Sequence, residues 1–166
     1  MKIISKSSTE TAALAKKIAA QLHGGETLAL IGDLGSGKTT FVKALARALG
    51  VRKPVRSPTF VLMVPYTVPR ARNQVTENRG NLVTGQRIRW LTHVDAYRVN
   101  NARDLEAIGI REYLDRTDTV TVIEWADRVK TLLPKNKITV HFTHGVKDGE
   151  RTISIIPPRG RLLPRW

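Results

Sequence analysis

Apolar residues recur along this chain at two spacings. Leu14, Ile18 and Leu22 share one helical face behind Ser7-Ser8-Thr9-Glu10, a capping-box pattern, and Gly24-Gly25 ends the segment. A short strand over Lys2–Ile4 precedes that helix. Thr27-Leu28-Ala29-Leu30-Ile31 is a nearly continuous apolar run, as expected for a strand covered on both faces, and a glycine-rich turn follows at once. Phe41, Val42, Leu45, Ala48 and Leu49 form the stripe of a second helix, with Gly50 placed for a left-handed cap.

Farther along, Thr59–Val64, Trp90–Val94 and Val120–Glu124 read as strands and Ala102–Leu114 as a helix. Ile138–Phe142 and Thr152–Ile156 flank a polar Gly-Val-Lys-Asp-Gly turn, which predicts an antiparallel hairpin on the sheet edge. The alternation of strands and helices predicts an α/β protein, a three-layer sandwich with a mixed, mainly parallel sheet. A length of 166 residues predicts one domain over 1–166. Two stretches fit no core element: a basic insertion over about 66–90, with Arg70, Arg72, Arg79, Arg87 and Arg89 against Glu77, and a basic tail, 157–166.

Composition narrows the picture. Lys and Arg number 28 against 14 Asp and Glu, a formal charge of +14, which attracts RNA, DNA or an acidic protein surface without choosing among them. With 41% hydrophobic residues the chain can bury a core, so disorder does not describe it as a whole. The absence of cysteine excludes disulfides, thiolate metal sites and cysteine nucleophiles. No signal-like h-region opens the chain, and no window approaches the ~18 apolar residues of a membrane span, so a soluble cytoplasmic protein with no membrane contact is expected.

The chemistry lies in Gly32-Asp33-Leu34-Gly35-Ser36-Gly37-Lys38-Thr39, a full match to G-x-x-x-x-G-K-[ST] between a predicted strand and a predicted helix. Glycines let consecutive amides turn inward at a helix N-terminus and cradle phosphate, and a side chain at Gly37 would obstruct that approach. Lys38 supplies a full charge to the β- and γ-phosphate oxygens, and the Thr39 hydroxyl is placed to ligate Mg²⁺. Such a loop needs an acid at the end of another strand. Asp95 and Glu124 both qualify, since each ends a strand at the edge where open α/β sheets bind ligands, and spacing does not divide the roles between them. His93, two residues before Asp95 on the same strand face, either orients that carboxylate or is satisfied in the core. His141 and His144 point to opposite faces of one strand and cannot share a metal.

Taken together, these residues resemble the bacterial TsaE family, small ATPases required for threonylcarbamoyladenosine formation in transfer RNA. The resemblance runs through Gly32–Phe41, Val55-Arg56-Ser57-Pro58-Thr59-Phe60, His93-Val94-Asp95-Ala96-Tyr97-Arg98, Gly109–Leu114 and Glu124-Trp125. It implies ATP and Mg²⁺ as cofactors, with Gly35, Ser36, Gly37, Lys38, Thr39 and Thr40 on the phosphates. Glu124 then resembles the second magnesium ligand beside Thr39, and Asp95 the acid near the γ-phosphate and attacking water. Ser57-Pro58-Thr59 resembles a switch-like segment facing the phosphates. Trp125 resembles a tryptophan beside the nucleotide, with a buried anchor as the alternative, and Lys6, Ser8 and Arg151 would approach the adenosine. The resemblance further implies hydrolysis that is slow alone and stimulated by the TsaD and TsaB proteins. Two departures accompany it: some 26 residues separate Tyr66 from His93 where the family has a short hairpin, and the charge is unusually basic. Both invite a transfer-RNA contact through the insertion and the tail. A small-molecule kinase, or an RNA-binding adaptor with a structural ATP site, are the competing functions.

Overall fold

The computed structural model describes residues 1–69, 88–147, 149–158 and 160. Within them, strands β1 (Lys2–Ser5), β2 (Thr27–Gly32), β3 (Met63–Thr67), β4 (Trp90–Asp95), β5 (Thr119–Glu124), β6 (Ile138–His144) and β7 (Arg151–Ile156) form one sheet in the order β1-β7-β6-β2-β5-β4-β3. The four central strands run parallel, while β3 pairs antiparallel with β4, β7 with β6, and β1 with β7. The sheet is therefore mixed.

Helices α1 (Ser8–Ala19), α2 (Lys38–Ala48), α3 (Ala102–Ala107) and α4 (Arg111–Leu114), with a 3₁₀ segment over Ala126–Leu132, cover it. Strand pleating sends alternate side chains to opposite faces. Leu28 and Leu30 of β2 thus join Leu14, Ile18, Phe41 and Leu45 from α1 and α2 in one apolar cluster. Ala29 of the same strand joins Leu105, Ile110, Val129 and Leu132 in a second cluster on the other face. Phe41 and Phe142 meet edge to face at 5.6 Å beneath α2. Among the described residues no helix is long and apolar enough to cross a membrane.

Local signals explain most boundaries. Ser7 accepts from the Glu10 N–H at 3.1 Å, and Glu10 accepts from the Lys6 N–H at 2.7 Å, so the capping pattern at α1 closes one residue earlier than the reciprocal box. Gly50, at φ 89°, receives α2 in a left-handed cap, with the Val51 N–H reaching Ala46 O at 3.0 Å.

Four expectations need correction. The strand expected over Thr59–Val64 begins only at Met63, because Pro58 opens a turn in which the Val61 and Leu62 N–H groups both donate to Pro58 O. The helix expected over Ala102–Leu114 is broken into α3 and α4: Gly109, at φ 81°, and Ile110 close α3 with hydrogen bonds to Glu106 O and Leu105 O. The β6–β7 hairpin is real but is not the sheet edge, since β1 adds outside β7. Finally, the ends of the 66–90 stretch do belong to the core: Tyr66, Val68 and Ile88 are buried, and the Val68 N–H donates to Arg89 O. Arg70, Arg72, Glu77, Arg79 and Arg87, and in the tail Arg159 and 161–166, lie outside the described residues.

Candidate functional site

Parallel pairing of β2, β4 and β5 brings their carboxyl ends to one edge of the sheet. That edge receives the Gly32–Thr39 loop from β2, Asp95 from β4 and Glu124 from β5, with Asp95 and Glu124 directly opposite in register. Gly32 must be glycine. Its φ is 149°, and a Cβ there would sit 2.3 Å from Phe142 O on the neighbouring strand. Gly37, at φ 104°, is the N-cap of α2, and a Cβ on it would meet the Arg151 side chain at 3.3 Å. Its positive φ is by itself a reason for glycine at this position.

α2 begins without any side-chain cap, so its first amides are left for an incoming group. Ser36 is 1% exposed, and its Oγ has no partner among the described residues. Lys38 is buried, and its Nζ donates to Gly32 O at 2.7 Å and Asp33 O at 2.8 Å while standing 3.9 Å over the Trp125 ring. Burial holds the Lys38 ammonium below its ordinary value of 10.5, and the opposing pull comes from Glu124, then Asp95, Asp33 and Asp127.

The two acids have different surroundings. Glu124 is 2% exposed; its Oε2 accepts from Thr39 Oγ1 and its Oε1 from His93 Nε2, each at 2.8 Å. Asp95 Oδ2 accepts from Ser57 Oγ at 2.5 Å and Thr59 Oγ1 at 2.7 Å, and Oδ1 accepts from the Tyr97 N–H at 3.0 Å. Ser57 and Thr59 are themselves joined at 2.9 Å. His93 therefore serves Glu124, not Asp95. It lies diagonally across the β4–β5 pair from that carboxylate, where a long side chain reaches.

Behind Glu124 the chain turns sharply: Trp125 adopts φ 58° and ψ 39°, a left-handed conformation uncommon for a bulky side chain. That turn lays its ring against Lys38 and, at 5.0 Å, against Tyr97. The result is a cleft of about 280 Å³ lined by Gly35, Gly37, Lys38, Thr39, Thr40, Ser57, Thr59, Asp95, Glu124 and Trp125, together with Leu34 and Tyr97.

Four of the sequence candidates do not line this cleft. Ser36 is buried within the loop, while Lys6, just before α1, and Ser8, its first residue, are exposed. Arg151 packs beside Gly37 and donates to Thr11 Oγ1 and Gly149 O, each at 3.0 Å. Two neighbours were missed by sequence reasoning. Tyr97 carried a usable signal, because an Asp accepting from the N–H two residues on is an Asx turn. His144, whose Nε2 lies 3.1 Å from Leu34 O at the loop tip, carried none, since the contact joins residues far apart in the chain.

The donor set suits a polyphosphate: a helix N-terminus with no side-chain cap bond and a lysine on the loop carbonyls. Among the described residues there is no group of three or more His, Asp or Glu able to hold a metal by themselves. Thr39 with Glu124 instead offers the sparse oxygen set that Mg²⁺ accepts when phosphates and water complete its shell.

Fold and cleft together define an α/β protein with a mixed seven-stranded sheet and a glycine-rich loop facing two strand-end carboxylates. The family described as "Threonylcarbamoyl adenosine biosynthesis protein TsaE" matches residues 5–153, and the chain belongs to that family. A TsaE protein of Treponema pallidum is 34% identical over 93% of this chain and 99% of its own length. That of Bacillus subtilis is 35% identical over 93% and 85%, and that of Aquifex aeolicus 38% over 77% and 78%. A crystal structure of Bacillus YdiB superposes with a TM-score of 0.67 at 31% identity, covering 93% of this chain and 83% of that one.

Proposed function

We propose that this chain is a single-domain ATPase serving threonylcarbamoyladenosine biosynthesis on transfer RNA in the cytoplasm, and that it works on the TsaD and TsaB proteins. The observation that carries this reading is the convergence of Lys38, Thr39, Glu124 and Asp95 on one cleft from three adjacent parallel strands. The names borne by its relatives give the pathway.

The roles follow from the surroundings of each group. The amides of Gly35, Ser36, Gly37, Lys38, Thr39 and Thr40 receive the phosphates, and Lys38 exchanges its loop carbonyls for phosphate oxygens. Thr39 and Glu124 would hold Mg²⁺, whose bound charge offsets that of the phosphates. Asp95 orients the attacking water: the new O–P bond forms as the bond to the ADP oxygen breaks, giving ADP and inorganic phosphate. Ser57 and Thr59, bound to Asp95, turn their hydroxyls toward the transferred group when it arrives. Trp125 borders the nucleotide, and Lys6, Ser8 and Arg151 reach its adenosine from the rim. The insertion and the tail add contacts to transfer RNA.

Hydrolysis is slow when the constellation closes only on docking. Phosphate release from ATP should therefore rise when TsaB and TsaD are added, and Lys38→Ala or Glu124→Ala should abolish the rise. A rate unmoved by the partners, or stimulated equally in both variants, would overturn the reading.

A further inference from the structure

A larger concavity adjoins the cleft at Thr40. Between α1, α2 and the segment 51–55 runs a groove of about 1090 Å³. Among the described residues its charged side chains are Lys16, Lys43, Arg47, Arg52 and Lys53, joined by the hydroxyls of Thr9 and Thr40 and by no carboxylate. All five cations are exposed, and among the described residues none is ion-paired. Five like charges along one groove repel one another, a penalty that a polyanion in the groove would relieve. The apolar part of the lining is small, with Ala12, Ala44, Ala48 and Val51, so a ligand backbone can approach closely.

We propose that this groove binds the phosphodiester backbone of an RNA strand. Every charged group along it is a donor, which matches a ligand whose charged groups only accept. A protein partner would also bring ammonium, guanidinium and amide donors, and these would meet no carboxylate here. A second copy of the chain, itself at +14, is repelled. Among the described residues no aromatic side chain lines the groove, so contact is with phosphate and sugar and not with stacked bases. The choice of RNA over DNA rests on the function proposed above. Thr40 lines both this groove and the nucleotide cleft, which sets the bound strand beside the glycine-rich loop.

The test is fluorescence anisotropy of a transfer-RNA transcript with the full chain, without nucleotide, over about 50 to 200 mM salt. Lys43→Gln/Arg47→Gln should weaken binding on the order of tenfold and lower the slope of log K against log salt by about two. Arg52→Gln/Lys53→Gln should do the same. Lys130→Gln/Lys135→Gln, within and just after the 3₁₀ segment on the other face of the sheet, should change little. Thermal melting of each variant checks folding, and ATP hydrolysis of the groove variants should match that of the parent. Groove variants that bind like the parent, or control variants that lose as much, would overturn the proposal. So would polyglutamate displacing the RNA at equal charge, or duplex DNA binding equally well. Loss of RNA binding with intact hydrolysis isolates the groove, whereas a parent that binds RNA but takes up no ATP defeats the ATPase reading alone.

Discussion

His93 Nε2 donates to Glu124 Oε1 at 2.8 Å across neighbouring strands, with the imidazole 0% exposed. This bond leaves Glu124 Oε2 for Thr39, so one oxygen of the carboxylate is anchored in the sheet and the other faces the cleft. His93 is thus a positioning residue that fixes a side chain proposed to hold magnesium.

His93→Ala should lower folding stability by about 2–4 kcal/mol, through a cavity and a buried carboxylate oxygen left without its donor. It should also reduce the increment that magnesium adds to ATP affinity, while affinity in EDTA stays near that of the parent. Titrations with and without magnesium separate these effects. Equal losses in both would mean a purely structural role.

Asp95→Asn keeps shape but removes the carboxylate that Ser57 and Thr59 address. Single-turnover hydrolysis should fall on the order of 10²–10⁴-fold, with ATP affinity changed only slightly. A variant that hydrolyses ATP at the parental rate would remove Asp95 from the chemistry.

Two glycines separate strain from collision. Gly50→Ala meets, among the described residues, only Pro69 Cδ at 3.9 Å and should cost about 1–2 kcal/mol for its left-handed backbone. Gly32→Ala places Cβ 2.3 Å from a backbone oxygen of β6 and should cost several kcal/mol more than that by denaturant unfolding. Equal losses would contradict the close approach of β2 and β6 at the loop.

Much of this was legible in the chain because the signals are local. The uninterrupted apolar run before Gly32 and the Gly50 cap needed only neighbours in sequence. The breaks at Pro58 and Gly109 are also local signals, yet the strand expected over 59–64 and the helix expected over 102–114 run through them. The partners of His93 and His144 were not legible, because strand register and loop packing decide them, and both connect residues distant in sequence. Asp95 and Glu124 could be placed at a shared edge, whereas their separation into one hydroxyl-bound and one imidazole-bound acid required the register of β4 with β5.

The Lys38 ammonium carries a pH signature. Its folded-state value is depressed, so between that value and 10.5 the unfolded chain binds more protons, and unfolding free energy rises with pH across this window. Lys38→Met should lack that rise. Over the same window ATP affinity of the parent should fall as the ammonium loses its proton, and the variant should show a flat, weak profile. Denaturant titrations and nucleotide binding across the alkaline range read both.

The most direct test is calorimetric titration of the folded protein with ATP, with and without magnesium. Saturable uptake of one ATP per chain, tightened by magnesium and lost in Lys38→Ala, is the predicted result. No magnesium-dependent uptake of ATP or ADP by protein that melts cooperatively would contradict the account.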